Sequence, residues 1–175
     1  GELMAAILEK GIAIQLKRGL GKEYILQTEA LSSLRGKIDI AESIKTQSML
    51  RKQLICTYDE FSVNSIMNRI IKSTVELLLR SNISKQRKKN LRKLMVYFSE
   101  VDFIDLYTVN WNVQYNRNNQ TYRMLISICY LVVKGLLQTQ SNGHTKLMDF
   151  LDEQRMCRLY EKFILEYYRK EFKNQ

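Results

Sequence analysis

Apolar side chains recur along much of the chain at steps of three and four residues, the spacing that gathers them on one face of a helix. Leu3, Ile7, Leu8, Ile12 and Leu16 form the first stripe, and Gly19 is placed to stop it. Gly11 weakens this helix, because glycine gives up more backbone freedom on folding than any other residue. The most regular stretch holds Val63, Ile66, Met67, Ile70, Ile71, Val75 and Leu78. It predicts a helix with one buried face, opened by Ser62, whose hydroxyl can accept a backbone N–H at the helix start. Further helices are predicted from about Ser84 to Phe98 and from near Thr121 to about Leu137, and a final one carries Met156, Leu159, Tyr160, Phe163 and Tyr167 on one stripe.

Between the helices that period breaks. From Tyr24 to Ile40 the apolar runs are short and interrupted by Arg35-Gly36-Lys37, which suits a small β element with a glycine turn or bulge. Leu54 to Tyr58 reads as a short strand, Ile104 to Val113 as extended or irregular, and Asn116 to Gln120 as a polar turn. Thr139 to His144 reads as a loop, and Lys146 to Phe150 as a short strand or an extended lead-in. The absence of proline from 175 residues, against a usual frequency of about 5%, favours helices, whose interiors proline breaks. The expected fold is mainly α: a multi-helix domain with a small β element near residues 24–40 and short strands around 54–58 and 104–115. No tandem repeat or low-complexity linker marks a domain boundary.

Composition narrows the function classes. A hydrophobic content of 45% is enough for a core, while no run of 18 apolar residues exists to span a bilayer, so no membrane partner is expected. Gly1 stands where an initiator Met would, and the first residues lack the basic region and cleavage site of a signal peptide, so the chain is expected to be a fragment. Cys56, Cys129 and Cys157 are odd in number, widely spaced and set among apolar residues, which argues against a disulfide framework and for a reducing cytoplasm. A net charge of +10 attracts nucleic acid or an acidic protein face.

Several clusters carry candidate chemistry. Arg35 and Asp39 flank the glycine turn and either face a partner or pin the turn as an ion pair. Asp59 and Glu60 are adjacent; on a strand they would point to opposite faces and share no metal, and beside Ser62 they would favour the positive end of a helix dipole. Asn68 shares a helix face with Asn64 and Lys72, which makes it either a contact residue with Arg69 or part of the wet side. Lys85, Arg87, Lys88, Lys89, Arg92 and Lys93 form the densest basic run, a candidate phosphate-binding surface or a solvated helix face. Tyr107, Trp111 and Tyr115 either stack on bases or fill a core. His144 is the lone histidine, without partners at metal-ligand spacing.

Arg35-Gly36-Lys37-Ile38-Asp39, Tyr58-Asp59-Glu60-Phe61-Ser62, Asn68-Arg69-Ile70-Ile71-Lys72 and Leu159-Tyr160-Glu161-Lys162-Phe163 occur in the order and spacing of McrC-like proteins, and the chain resembles that family over almost its whole length. The resemblance implies a subunit of a modified-cytosine restriction system that docks on an McrB-like GTP-hydrolysing ring, stimulates it, and carries a divalent-cation nuclease, with magnesium expected in the parent protein. It implies that DNA is met through the assembled complex, that Arg35, Lys37, Asp39, Asn68 and Arg69 are candidate partner contacts, and that Glu161 is a carboxylate on a helix of the nuclease part. It divides the chain into a helical regulatory domain, residues 1–150, and a first helix of the nuclease part, residues 151–175. The nuclease motif itself, an Asp followed by Glu-x-Lys or Asp-x-Lys, would lie beyond that helix, so no catalytic residue, metal ligand or cofactor is expected in this fragment. Two alternatives stand beside this reading: a stand-alone basic helical DNA-binding domain, and a metal nuclease built from Asp149, Asp152, Glu171 and Lys173.

Overall fold

The computed structural model describes residues 1–141 together with Arg158, Glu161 and Lys162. In chain order the elements are helix α1 (Glu2–Arg18), strands β1 (Glu23–Leu31) and β2 (Lys37–Ile38), helix α2 (Ile40–Lys45), strand β3 (Leu54–Ser62), and helices α3 (Ile66–Arg80), α4 (Lys85–Met95) and α5 (Tyr122–Ser141). Among the described residues the fold is helix-rich with one small antiparallel sheet, as the periodicities predict. It divides into two compact units, one of Gly1–Gly21 with Ile66–Gln175 and the other of Lys22–Ser65. Among the described residues no helix is long and apolar enough to cross a membrane.

The helical unit is built on the predicted stripes. Leu8 and Ile12 of α1, Ile70, Ile71, Val75 and Leu78 of α3, Leu91 of α4, and Leu125 and Ile128 of α5 are each no more than 2% exposed. Sealing side chains of this size from water stabilises the fold by about 1.5–3 kcal/mol apiece. Gly11 has a role that helix propensity does not reveal: a Cβ there would stand 2.6 Å from a methyl of Leu125. The missing side chain is what lets α5 seat against α1.

The sheet unit has strand order β1-β3-β2. β1 and β3 pair residue for residue from Glu23↔Ser62 to Leu31↔Leu54. That full-length ladder corrects the expected start of the next helix. Asp59 and Glu60 stand in β3, opposite Leu26 and Ile25, and α3 begins only at Ile66. Ser62 ends the strand, and its hydroxyl accepts the Asn64 N–H at 3.1 Å in the connecting loop.

Residues 104–115 form turns and irregular backbone rather than the expected short strand. Asp105 accepts the Tyr107 N–H at 2.9 Å, and the Asn110 side chain accepts that of Asn112 at 3.0 Å. Side-chain turns of this kind compete directly with ladder formation. α5 continues to Ser141, through the start of the predicted loop at Thr139. The remainder of that loop, the segment Lys146 to Phe150, and the final stripe from Met156 to Tyr167 lie outside the described residues, apart from Arg158, Glu161 and Lys162, which are helical.

Candidate interaction surfaces

In the sheet unit the glycine turn folds back on β3. Gly36 has φ 65°, and a Cβ there would meet the Thr57 carbonyl oxygen at 2.4 Å, so only glycine fits without strain. The Arg35 guanidinium lies 3.9 Å from the centre of the Tyr58 ring. The Tyr58 hydroxyl donates to the Glu29 carboxylate, and that hydrogen bond is the main cause of a phenol pKa pushed above its ordinary value. Asp39 caps α2 by accepting the Glu42 N–H at 2.9 Å. Arg35 and Asp39 thus engage different partners and do not form the ion pair one reading of the turn proposed. Both, with Lys37, remain exposed.

Two buried serines order the segment between α2 and β3. The Ser43 hydroxyl donates to the Asp39 carbonyl at 2.6 Å and accepts the Ile55 N–H at 2.8 Å, while Ser48 donates to the Ser43 carbonyl at 3.2 Å. This network ties α2 to β3 and holds a 3-10 turn, Ser48–Arg51, bracketed by Gln47 at φ 52° and Lys52 at φ 56°. Non-glycine residues in that left-handed region cost about 1 kcal/mol or more each and persist where the surroundings impose them. Met49 and Leu50 ride on the turn, Leu50 at 81% exposure, and Leu34, Ile40 and Ile44 of the same unit are also exposed. Ile40 and Ile44 are one helical turn apart on α2. The exposed turn that carries Met49 and Leu50, the apolar tip, has no counterpart among the residues singled out from sequence. Its signal was the pair Ile40 and Ile44 followed by Met49-Leu50 in an otherwise polar stretch.

In the helical unit the polar candidates are largely used internally. Asn68 is fully buried and donates to the Gly21 carbonyl at 3.0 Å, which corrects both readings of it, as an exposed contact residue and as part of a wet face. Arg69 donates to the Phe103 carbonyl at 3.2 Å, and Lys72 to those of Phe98 and Val101 at 2.9 and 2.6 Å. The Ser73 hydroxyl accepts the Ile104 N–H at 2.8 Å. One turn and a half of α3 therefore fastens the segment after α4 in place.

The basic run divides in two. Ser84 caps α4 by accepting the Arg87 N–H at 3.2 Å. Arg87 turns back to α1, pairing with Glu9 at 2.6 Å and Glu2 at 3.2 Å. Glu2 also accepts the Ser84 N–H at 2.8 Å, the largest cause of a carboxyl pKa below its ordinary value, and the Glu9 bond is the largest cause of the raised Arg87 pKa. Arg87 is thus neutralised at home. Lys85, Lys89, Arg92 and Lys93 remain exposed and Lys88 is half-buried.

Segment 106–115 and α5 border an open cleft of about 890 Å3 whose lining includes Tyr107, Trp111, Tyr115 and Tyr130. Trp111 meets Tyr130 edge-on with ring centres 5.4 Å apart, whereas Tyr107 is 72% exposed. Desolvation is the main cause of a raised Tyr115 pKa. Cys129, fully buried on α5, has its thiol pushed up to about 12 by desolvation, and Cys56 is buried in β3; both are free thiols. Among the described residues, no group of three His, Cys, Asp or Glu side chains gathers as a metal site. Glu161 is helical and exposed, while His144, Asp149, Asp152, Cys157, Glu171 and Lys173 lie outside the described residues.

A family model described as "McrBC 5-methylcytosine restriction system component" matches residues 1–175. The chain belongs to this family. The likeness first seen in four short motifs is thereby borne out at family level. This McrBC-family chain is 27% identical over 173 residues to the type IV methyl-directed restriction enzyme EcoKMcrBC of Escherichia coli (strain K12), covering 97% of this chain and 50% of that protein. It spans about half the length of the curated relative it matches. Two solved structures share its fold, each with TM-score 0.58 and 23% identity over 73% of this chain. One is the cryo-EM structure of the Thermococcus gammatolerans McrBC complex, of which 39% of the matched chain is covered. The other is a half-complex from a tetradecameric assembly of Thermococcus gammatolerans McrB AAA+ hexamers with bound McrC, covered over 31%.

Proposed function

We propose that this McrBC-family chain is the docking part of an McrC-like subunit: it binds and stimulates a GTP-hydrolysing ring and supports DNA cleavage by the nuclease part of the same subunit. The observation that carries the reading is the exposed apolar pair Met49 and Leu50 on the turn between α2 and β3. Met49 and Leu50 are held in solvent on a turn fixed by buried serines and flanked by left-handed residues. Exposed apolar clusters on a well-ordered scaffold are the usual core of a protein interface, with polar residues at the rim. Arg35, Lys37 and Asp39 supply such polar groups in the same unit. The solved relative with McrB hexamers and bound McrC supports the pairing. In this reading the divalent cation, magnesium in the first instance, belongs to the nuclease part.

GTP hydrolysis by the cognate ring, followed as phosphate release with and without the chain, tests the proposal. Stimulation is expected, and Leu50→Asp is expected to abolish most of it while the circular-dichroism spectrum stays unchanged. A folded chain that leaves hydrolysis unaltered would sink the docking role. Full stimulation by Leu50→Asp would move the interface away from the tip.

A second reading, a basic helical DNA-binding domain acting without a partner, is favoured by the four exposed cations of α4. It predicts salt-sensitive duplex binding by the chain alone, weakened by about one phosphate contact for each cation removed.

A further inference from the structure

The cleft beside α5 is explained neither by docking to a ring nor by the basic face of α4. Its volume of about 890 Å3 lies in the range of built ligand sites, about 300–1,000 Å3. Three features of its lining define the ligand. The first is aromatic surface: Tyr107, Trp111, Tyr115 and Tyr130 all line it, and Tyr107 is mostly in solvent rather than packed. The second is charge. Arg123 lies over the Tyr115 ring and Lys134 over the Tyr130 ring, each at 5.5 Å, and among the described residues no carboxylate contributes to the lining. The third is geometry, since these two cations are separated along α5 by about 16 Å at 1.5 Å rise per residue.

Aromatic faces accept any base by stacking, and cations spaced along a groove hold the backbone that links successive bases. A peptide partner for a cationic cleft would have to be acidic, and it would leave the aromatic surface with little to stack on. A duplex keeps its bases stacked on one another and offers these rings only phosphates. We propose that the cleft binds single-stranded DNA, stacking unpaired bases on Tyr107 and Trp111 and taking flanking phosphates on Arg123 and Lys134. The inference rests on the reading that this chain works on DNA within a restriction system, but it assigns a strand-binding site that ring docking does not require.

Trp111 is the sole tryptophan of the chain, so its fluorescence reports on the site directly. The purified chain is titrated at low salt with a short oligothymidylate and, separately, with a duplex of the same length. Saturable quenching by the single strand is expected, with the duplex weaker by about tenfold or more. Loss of one stacking partner in Tyr107→Ala is expected to raise Kd by about fivefold or more, and Lys134→Glu to do the same with a shallower salt dependence. Tyr107 is exposed enough that its truncation leaves the fold intact. Absence of quenching, equal quenching by duplex, an unchanged Kd in Tyr107→Ala, or equal quenching by polyglutamate would each overturn the proposal. Leu50→Asp separates this idea from the docking proposal. If it loses GTPase stimulation and keeps the quench, both stand; if stimulation is absent throughout while quenching is normal, only docking fails.

Discussion

In the helical unit Ile70, Leu78 and Leu91 are sealed from solvent, while in the sheet unit Leu34, Ile40, Ile44 and Leu50 stand mostly in water. Charged residues differ in the same sense. Arg87 is closed into a clasp with Glu2 and Glu9, whereas Arg35 lies exposed on a tyrosine face. Helices α1, α3, α4 and α5 enclose enough volume to hide Ile70, Leu78 and Leu91; a three-stranded sheet with one short helix hides less, because burial falls steeply as a unit shrinks. The smaller unit buries Ile55, Cys56 and Tyr58 and is ordered further by hydrogen bonds through Ser43 and Ser48 and by a tight ladder, which leaves Leu34, Ile40, Ile44 and Leu50 free for another surface.

The contrast can be broken by substitution. Ile70→Ala should destabilise the helical unit by about 2–5 kcal/mol, read from urea unfolding, because the cavity forms in a closed core. Gly36→Ala should cost the sheet unit about 2–3 kcal/mol by forcing a Cβ against the Thr57 carbonyl at a positive φ; hydrogen exchange along β3 would locate the loss. Glu9→Ala should cost about 1–2 kcal/mol, since both partners are largely shielded, and a double-mutant cycle with Arg87→Ala would show whether the pair itself is responsible.

Smaller effects sharpen the same distinction. The Glu2 carboxyl titrates below its ordinary 4.5, so its link to Ser84 and Arg87 contributes fully above that pH and is lost as the pH falls through the lowered value. Glu2→Gln should flatten that acidic limb of a stability profile. Leu50→Asp should change stability by no more than about 0.5 kcal/mol in either direction. A large loss there would mean that the tip belongs to a core after all.

Helix positions were legible because α1, α3, α4 and α5 each bury one face, and the period of their apolar residues records that directly. The site was harder to read. Asn68 lies on a face with Lys72, and only the three-dimensional path of the chain brings the Gly21 carbonyl to it and turns a wet position into a core one. Arg87 looked like its basic neighbours because its acidic partners are supplied by α1, far away in sequence. Ser62 and Asp59 resembled a helix start because strand length depends on the pairing partner, here nine residues of β1. The apolar tip was hidden for a related reason: exposure is a property of what fails to pack, and composition does not record it.

The left-handed residues on either side of the Ser48–Arg51 turn bear on the thermodynamics of association. A loop that must be ordered on binding gives up conformational entropy at that moment, and the observed affinity falls accordingly. Here the backbone beneath Met49 and Leu50 has already surrendered that freedom during folding. A surface that receives them meets a preset shape, and replacing Gln47 and Lys52 by glycine should relieve the local strain while weakening the complex.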